Sequence, residues 1–258
     1  MPIPWLRPLR SERRAPLALA LTLCWSLVWQ GAVAASISIA PTQLAIVHDG
    51  GSVDLSIADV GDDPASFAVH AYRWTQEPSG KIALEPTDDL IVYPQRLNLA
   101  PLERQIVRIG YPGSVGAHEA DYRIVVSELP SLAAPASSPS LALRMRYSIP
   151  LFIASPAARP QTTVTSANLG PAALAFDLLN AGNGHATATS VHARALAAGG
   201  SVVVERALPA WYLLPGQPRQ YALALAPGQC ARIQELVVDA SFADVPPLHA
   251  TVAPARSC

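Results

Sequence analysis

The side chains that could do chemistry are few and badly spaced for it. Six histidines, three cysteines and 19 acidic residues are available in 258 residues. His185 and His192 come nearest to a metal-ligand pair, but an interval of seven puts them on opposite faces of a strand, and histidines so placed are more often solvated or in turns. Asp62-Asp63 and Asp88-Asp89 are adjacent carboxylates in turn sequences, where aspartate is favoured for backbone reasons, so they do not imply an acid–base pair. The chain has no Gly-x-Ser-x-Gly elbow, His-Glu-x-x-His, phosphate-cradling Gly-Lys-Ser/Thr or Cys-x-x-Cys. The residues therefore read as those of a non-enzyme without metal or cofactor, and the weight moves to binding or assembly. One feature favours binding of carboxylates: Lys81 is the only lysine, so nearly every positive charge is a guanidinium, whose planar fork matches a carboxylate.

The stretch that could bind is 141–149. Its odd positions, Leu141, Leu143, Met145, Tyr147 and Ile149, are all apolar, and its even positions carry Ala142, Arg144, Arg146 and Ser148. Successive strand side chains point to opposite faces, so the segment has an apolar row and a basic row. Two readings fit: a strand half-buried in its own sandwich, or an apolar row lent to another protein.

Elements that would position this strand follow from the rest of the chain. Residues 1–35 read as an export signal: Arg7, Arg10, Arg13 and Arg14 precede an apolar run over 16–29, and Ala32-Val33-Ala34 offers a small-x-small cleavage site, so the mature chain begins near Ala35 or Ser36. The run is shorter than the roughly twenty apolar residues of a spanning helix. Leu23 also stands where a lipoprotein signal ending at Cys24 would need a small residue. Removing four Arg and Glu12 with the signal takes 18 basic and 19 acidic residues to 14 against 18, formally −4. That balance leaves no basic face for nucleic acid. Cys230 and Cys258 remain; in an oxidising compartment a lone pair is best read as a disulfide, the alternative being two free thiols.

From residue 36 onward the pattern is short alternating runs broken by turn residues, with no sustained helical period, which argues for an all-β sandwich. Strands are predicted at 36–45, ending near Pro41, a plausible edge position because proline cannot donate to a ladder, and at 53–57, 66–76, within 82–94, at 96–101, 105–110, 121–129 and 141–149, the last reached through an Ala/Ser/Pro-rich loop at 130–140. In 66–76, Phe67, Val69 and Ala71 face opposite to His70, Tyr72 and Trp74. Proline-rich 155–160 is the predicted linker. A second β pattern follows, with turn chemistry at Asn180-Ala181-Gly182-Asn183-Gly184. The expected organisation is a signal at 1–35, a first domain at 36–154 and a second at 155–258.

With the strands placed, the first domain resembles the periplasmic pilus-assembly chaperones of the chaperone-usher pathway. The matching pieces occur in the family's order: Tyr72-Arg73-Trp74-Thr75-Gln76; Leu90-Ile91-Val92-Tyr93-Pro94; Leu99-Ala100-Pro101 before Gln105-Ile106-Val107-Arg108; Glu119-Ala120-Asp121-Tyr122-Arg123; Ser127-Glu128-Leu129-Pro130; and Tyr147-Ser148-Ile149-Pro150-Leu151-Phe152-Ile153. Trp211-Tyr212-Leu213-Leu214-Pro215-Gly216 and the late cysteine pair resemble the archaic branch, which serves spore-coat-U-like subunits. The resemblance implies two immunoglobulin-like β-sandwich domains in a boomerang arrangement, a periplasmic location, and pilus subunits and an outer-membrane usher as partners, with no stable membrane insertion. It implies donor-strand complementation, in which Leu141, Leu143, Met145, Tyr147 and Ile149 fill the groove of a subunit lacking its last strand, and Pro150 ends the donated segment. The better-known branch grips the subunit's terminal carboxylate with an Arg and a Lys, where this chain has Gln43 and Ser148. Arg108 is then the first replacement anchor and Arg123 the second, against the alternative of internal salt bridges to Glu119 or Glu128. A two-domain immunoglobulin-like adhesin or carbohydrate-binding module, with the 141–149 strand internal, is the competing reading.

Overall fold

The computed structural model describes residues 37–130, 143–243 and 245–258. The predicted signal, Leu141 and most of the 130–140 loop lie outside the described residues. Alternation of apolar and polar residues gives nineteen short strands among the described residues, plus one 3-10 turn at Cys230–Arg232.

The first sandwich is built from β1 (Ile37–Ala40), β2 (Leu44–Ile46), β3 (Ser52–Asp59), β4 (Ala65–Gln76), β5 (Ile82–Pro86), β6 (Ile91–Tyr93), β7 (Arg96–Leu99), β8 (Arg104–Gly110), β9 (Ala120–Glu128) and β10 (Arg146–Ile153). One sheet runs β1-β3-β8-β6; the other runs β2-β10-β9-β4-β5, with β7 also on β4. Between them lie the inward residues of both sheets, among them Leu55, Ile57, Phe67, Val69, Val107, Ile124 and Leu151. The alternation in β4 is as predicted: Phe67, Val69 and Ala71 pack into this core, while Trp74 joins a separate cluster on the other face.

Two predicted strands change shape. The run expected at 36–45 is split at Pro41, whose missing N–H stops the ladder; β1 pairs antiparallel with β3, and the chain then crosses to the other sheet, where β2 pairs parallel with β10. The strand expected at 141–149 begins as β10 only at Arg146 and continues to Ile153. Pro150 therefore lies inside β10, at the last position that β2 leaves uncovered.

The second sandwich comprises β11 (Thr162–Leu169), β12 (Ala173–Asn180), β13 (Ala186–Ala197), β14 (Val202–Leu208), β15 (Tyr212–Leu213), β16 (Pro218–Ala224), β17 (Ile233–Phe242), β18 (Leu248–Val252) and β19 (Ala255–Arg256). Its sheets run β16-β12-β11-β19 and β14-β13-β17-β18, with β15 on β13. Cys230 and Cys258 form a disulfide with Cα atoms 5.9 Å apart, fastening the last residue to the 3-10 turn.

The sandwiches belong to one compact unit and are joined by a small core of their own: Trp74, Phe152 and Leu214, with Ile82, Leu84 and Tyr212 packed against them. Hydrogen bonds flank this core. The Gln76 side chain donates to the Tyr212 carbonyl at 3.0 Å, and the Gln220 N–H donates to the Pro78 carbonyl at 2.7 Å. On the far side the predicted turn at 180–184 is a clasp. The side chain of buried Asn180 bonds Gly182 and Gly184 within the turn and Gln161 and Leu213 outside it, and the turn presents Asn183 to accept from the Glu119 N–H at 2.9 Å and donate to the Ala117 carbonyl at 2.7 Å. Gly182 is required there, since a Cβ would stand 2.2 Å from the Arg159 carbonyl oxygen.

Candidate functional site

β10 is paired on one side along its whole length and on the other only at its end. Arg146 to Ile153 face Ser127 to Ala120 of β9, whereas β2 covers only Leu151, Phe152 and Ile153. Among the described residues no strand pairs with the outer side of Arg146 to Pro150, so this is an open edge able to accept another strand. Proline is tolerated at such an edge, which accounts for Pro150 inside the strand.

The apolar row meets its surroundings in two ways. Leu143 and Met145 are 50% and 38% exposed. Tyr147 is half-buried against the core of the first sandwich, and Ile149, 5% exposed, is inside it. The row therefore slides from a free end into the protein's own interior. Met145 is already held in register, its N–H donating to the Glu128 carboxylate at 3.0 Å and its carbonyl accepting from the Glu128 N–H at 2.9 Å. Arg144, Arg146 and Ser148 face solvent.

The two arginines singled out from sequence are on different sheets and are not brought together. Arg108 on β8 sits directly opposite Asp54 on β3 and holds its carboxylate in a fork, Nε to Oδ1 at 2.8 Å and Nη2 to Oδ2 at 3.1 Å. Both side chains are well exposed, and the hydrogen bond from Arg108 pulls the Asp54 carboxyl below its ordinary range. The internal salt bridge weighed for Arg108 is thus present, with Asp54 rather than Glu119 or Glu128 as partner.

Arg123 on β9 is 3% exposed and faces away from the first core, toward the cleft between the sandwiches. Its guanidinium lies 3.7 Å from the centre of the Trp74 ring, with Tyr212 and Trp211 at 5.6 and 5.9 Å. Nη1 donates to the Ser148 carbonyl at 3.2 Å. Nε and Nη2 have no partner among the described residues, which is costly for buried donors. Loss of hydration brings the guanidinium down to about 10, so it stays cationic at neutral pH. The aligned anchor position Gln43 accepts a hydrogen bond from the Tyr212 hydroxyl at 3.2 Å.

A second polar group lies two and four residues before Arg123. Glu119 accepts from the His185 backbone N–H at 2.9 Å, and both its oxygens are 2.9 Å from His185 Nδ1. The imidazole stacks on Phe152 with ring centres 3.5 Å apart. Sequence reasoning read His185 as a solvated or turn residue; it is instead largely buried against Glu119, a contact 66 residues away that no local pattern announces. Burial first, and then the neighbouring Glu119 carboxylate, push the Asp121 carboxyl up to about 9. A cavity of about 340 Å³ lined by Gln43, Val47, Glu119, Arg159 and His185 opens beside the group. His192 stays exposed on β13. Among the described residues no group of three His, Cys, Asp or Glu suits a metal ion, and no helix is long and apolar enough to cross a membrane.

The geometry is that of a binding protein with an open sheet edge beside a buried cation. Residues 36–160 match a family described as pili and flagellar-assembly chaperone, PapD N-terminal domain. No curated protein matches the chain in sequence. Similar solved structures include the class 5 fimbriae chaperone CfaA, 10% identical, covering 85% of this chain and 100% of that one at a TM-score of 0.57. The CsuC–CsuE chaperone–tip adhesion subunit pre-assembly complex of archaic Csu pili from Acinetobacter baumannii is 19% identical, covering 73% and 91% at 0.53. The E. coli chaperone DraB is 19% identical, covering 85% and 98% at 0.53. At these identities the likeness establishes the fold: two immunoglobulin-like sandwiches.

Proposed function

The chain belongs, through residues 36–160, to the pili and flagellar-assembly chaperones, and from that premise we propose that it captures pilus subunits in the periplasm by donor-strand complementation and delivers them to an outer-membrane usher. The observation that carries this is the open outer edge of β10, preceded by exposed Leu143 and Met145. A subunit strand added there gains a main-chain ladder along Arg146 to Pro150, and the apolar row fills the pockets of its unfinished core. Burying one such side chain contributes about 1.5 to 3 kcal/mol, against roughly 0.5 to 1.5 for a ladder hydrogen bond, so the side chains carry the affinity and the ladder the register. Leu141, Leu143 and Met145 are the donated residues. Tyr147 and Ile149, packed on the first core, fix the strand from which they project.

Arg123 is the carboxylate anchor this geometry favours over Arg108. Arg108 is exposed and already engaged with Asp54, whereas Arg123 is buried and cationic beside β10, with two donors that have no partner among the described residues. The Trp211 to Gly216 run, the Cys230–Cys258 disulfide and the likeness to the archaic Csu complex support a place in the archaic branch.

The test is co-expression of a cognate subunit with the double variant Leu143→Glu and Met145→Glu. Two carboxylates cannot enter an apolar groove without a partner, so recovery of soluble subunit should collapse while the chaperone itself accumulates normally. Undiminished recovery overturns the reading.

A further inference from the structure

We propose that Gln43 and Tyr212 latch shut the chamber around Arg123, and that a chain end arriving along the outer edge of β10 releases the latch and reaches the guanidinium. That the arriving group is a carboxylate rests on the anchor reading of Arg123; that the chamber is shut in the free protein does not.

The chamber is rich in unmet donors. Arg123 Nε and Nη2 and the Trp74 indole N–H are all buried and have no partner among the described residues. The Trp74 ring centre is 3.7 Å from the guanidinium carbon, so the indole N–H is an immediate neighbour. Asp121, two residues away on the same face of β9, does not satisfy these donors, and its Oδ1 also lacks a partner among the described residues. Donors clustered around a fixed positive charge suit an anion. Because they are buried, no anion reaches them until a wall moves.

Three rings form the walls: Trp74, Tyr212 and Trp211, with centres 3.7, 5.6 and 5.9 Å from the guanidinium carbon. Trp74 is pinned, being 1% exposed and packed with Phe152 and Leu214 between the sandwiches. Trp211 is 42% exposed and Tyr212 half-buried, and the backbone of both is held. The Trp211 carbonyl accepts from the Ala188 N–H at 3.1 Å, and the Tyr212 carbonyl from the Gln76 side chain at 3.0 Å. Only their side chains are left to move. Tyr212 is the tethered one: its hydroxyl donates to Gln43 Oε1 at 3.2 Å, an exposed bond between the sandwiches.

The tether stands where an added strand would end. β2 starts at Leu44, opposite Leu151, so Gln43 marks the point at which the open edge of β10 closes. A strand laid along Arg146 to Pro150 runs up to β2 there, and its end meets the Gln43 amide. By competing for that amide it frees Tyr212 to swing away from Arg123. With no strand on the edge, the chamber stays closed to stray anions.

The test treats the free mature protein with phenylglyoxal, a guanidine-directed reagent, and follows labelling of Arg123 and Arg108 by peptide mass mapping. Exposed Arg108 should label fast and buried Arg123 slowly. Tyr212→Phe removes the donor and keeps the ring; Gln43→Ala removes the acceptor. Either should speed labelling of Arg123 about two- to twelvefold, the factor set by one net hydrogen bond, with Arg108 unchanged. The double variant should be no faster than the single ones, since all remove the same bond. Affinity for a subunit with a free C-terminus should rise by up to the same factor, because the open fraction rises, and affinity for the amidated subunit should not change. Arg123 labelling as slow in both single variants as in wild type, or accelerations that multiply in the double variant, overturns the latch. Faster labelling with unchanged affinity for the free-carboxylate subunit overturns its coupling to capture. A wild type blind to amidation, with labelling as expected, overturns the anchor reading instead and leaves the shut chamber standing.

Discussion

Replacing Arg123 by methionine separates an anchoring arginine from a structural one. Methionine fills much of the same volume without charge. The substitution removes a hydrogen bond from a cation to the Ser148 carbonyl, worth about 1.5 to 3 kcal/mol, and a desolvated stack on Trp74, worth about 2. It also removes two buried donors without partners, each costing about 1 to 3. The two sides nearly cancel, so folding stability in urea should stay within about 2 kcal/mol of wild type. Binding should not. Deleting one partner of a buried, hydrogen-bonded charge pair costs about 2 to 5 kcal/mol, which is roughly thirtyfold to several thousandfold in affinity. The assay is titration of Arg123→Met and wild type with a subunit carrying either a free or an amidated C-terminus. Wild type should prefer the free carboxylate strongly, and the variant should bind both forms equally weakly. Destabilisation beyond about 3 kcal/mol, or an undiminished preference in the variant, refutes the anchoring role. The same titration with Arg108→Ala should give wild-type binding, because that guanidinium serves an exposed pair, and exposed pairs contribute about 0 to 1 kcal/mol.

Two further outcomes follow from the same geometry. Met145→Glu should leave the urea midpoint unchanged, since that side chain is exposed, whereas Ile149→Glu should unfold the first sandwich by burying an unpaired charge; equal effects would contradict the division of the apolar row. Cys258→Ser should cost about 3.5 kcal/mol by the chain-entropy rule for a closed loop of sequence separation 28, with reductant giving the same loss in wild type; a variant as stable as oxidised wild type would contradict this.

The two-sandwich architecture was legible because strand alternation is local. Phe67, Val69 and Ala71 against Trp74 is a period of two that any sheet enforces, and the core follows from it. What was not legible depends on contacts far apart in sequence. The split at Pro41 was visible as a ladder stop, but the parallel pairing of β2 with β10 was not. The alternation of apolar and basic residues in 141–149 is legible in the sequence. The division of the apolar row between exposed Leu143 and Met145 and inward Ile149 arises because β10 begins only at Arg146, after both exposed residues, and Ile149 packs into the first core. Arg108 and Arg123 have equivalent sequence signals, a strand arginine within a matching fragment; only the placement of Asp54 across β3 and of Trp74 and the second sandwich beside β9 distinguishes them. Asn180 to Gly184 read as a turn and is one, yet its role as a clasp on Ala117 and Glu119 requires the second sandwich to be in place.

The central claim is that the outer edge of β10 pairs with a strand of another protein. Amide hydrogen exchange across residues 143–150, compared between the free protein and its complex with a subunit, measures that directly. The account predicts rapid exchange of the outward amides in the free protein and strong protection of the same amides in the complex, with Ile149 buried throughout. Amides along this edge that exchange equally fast in the complex, while the subunit remains bound, would contradict it.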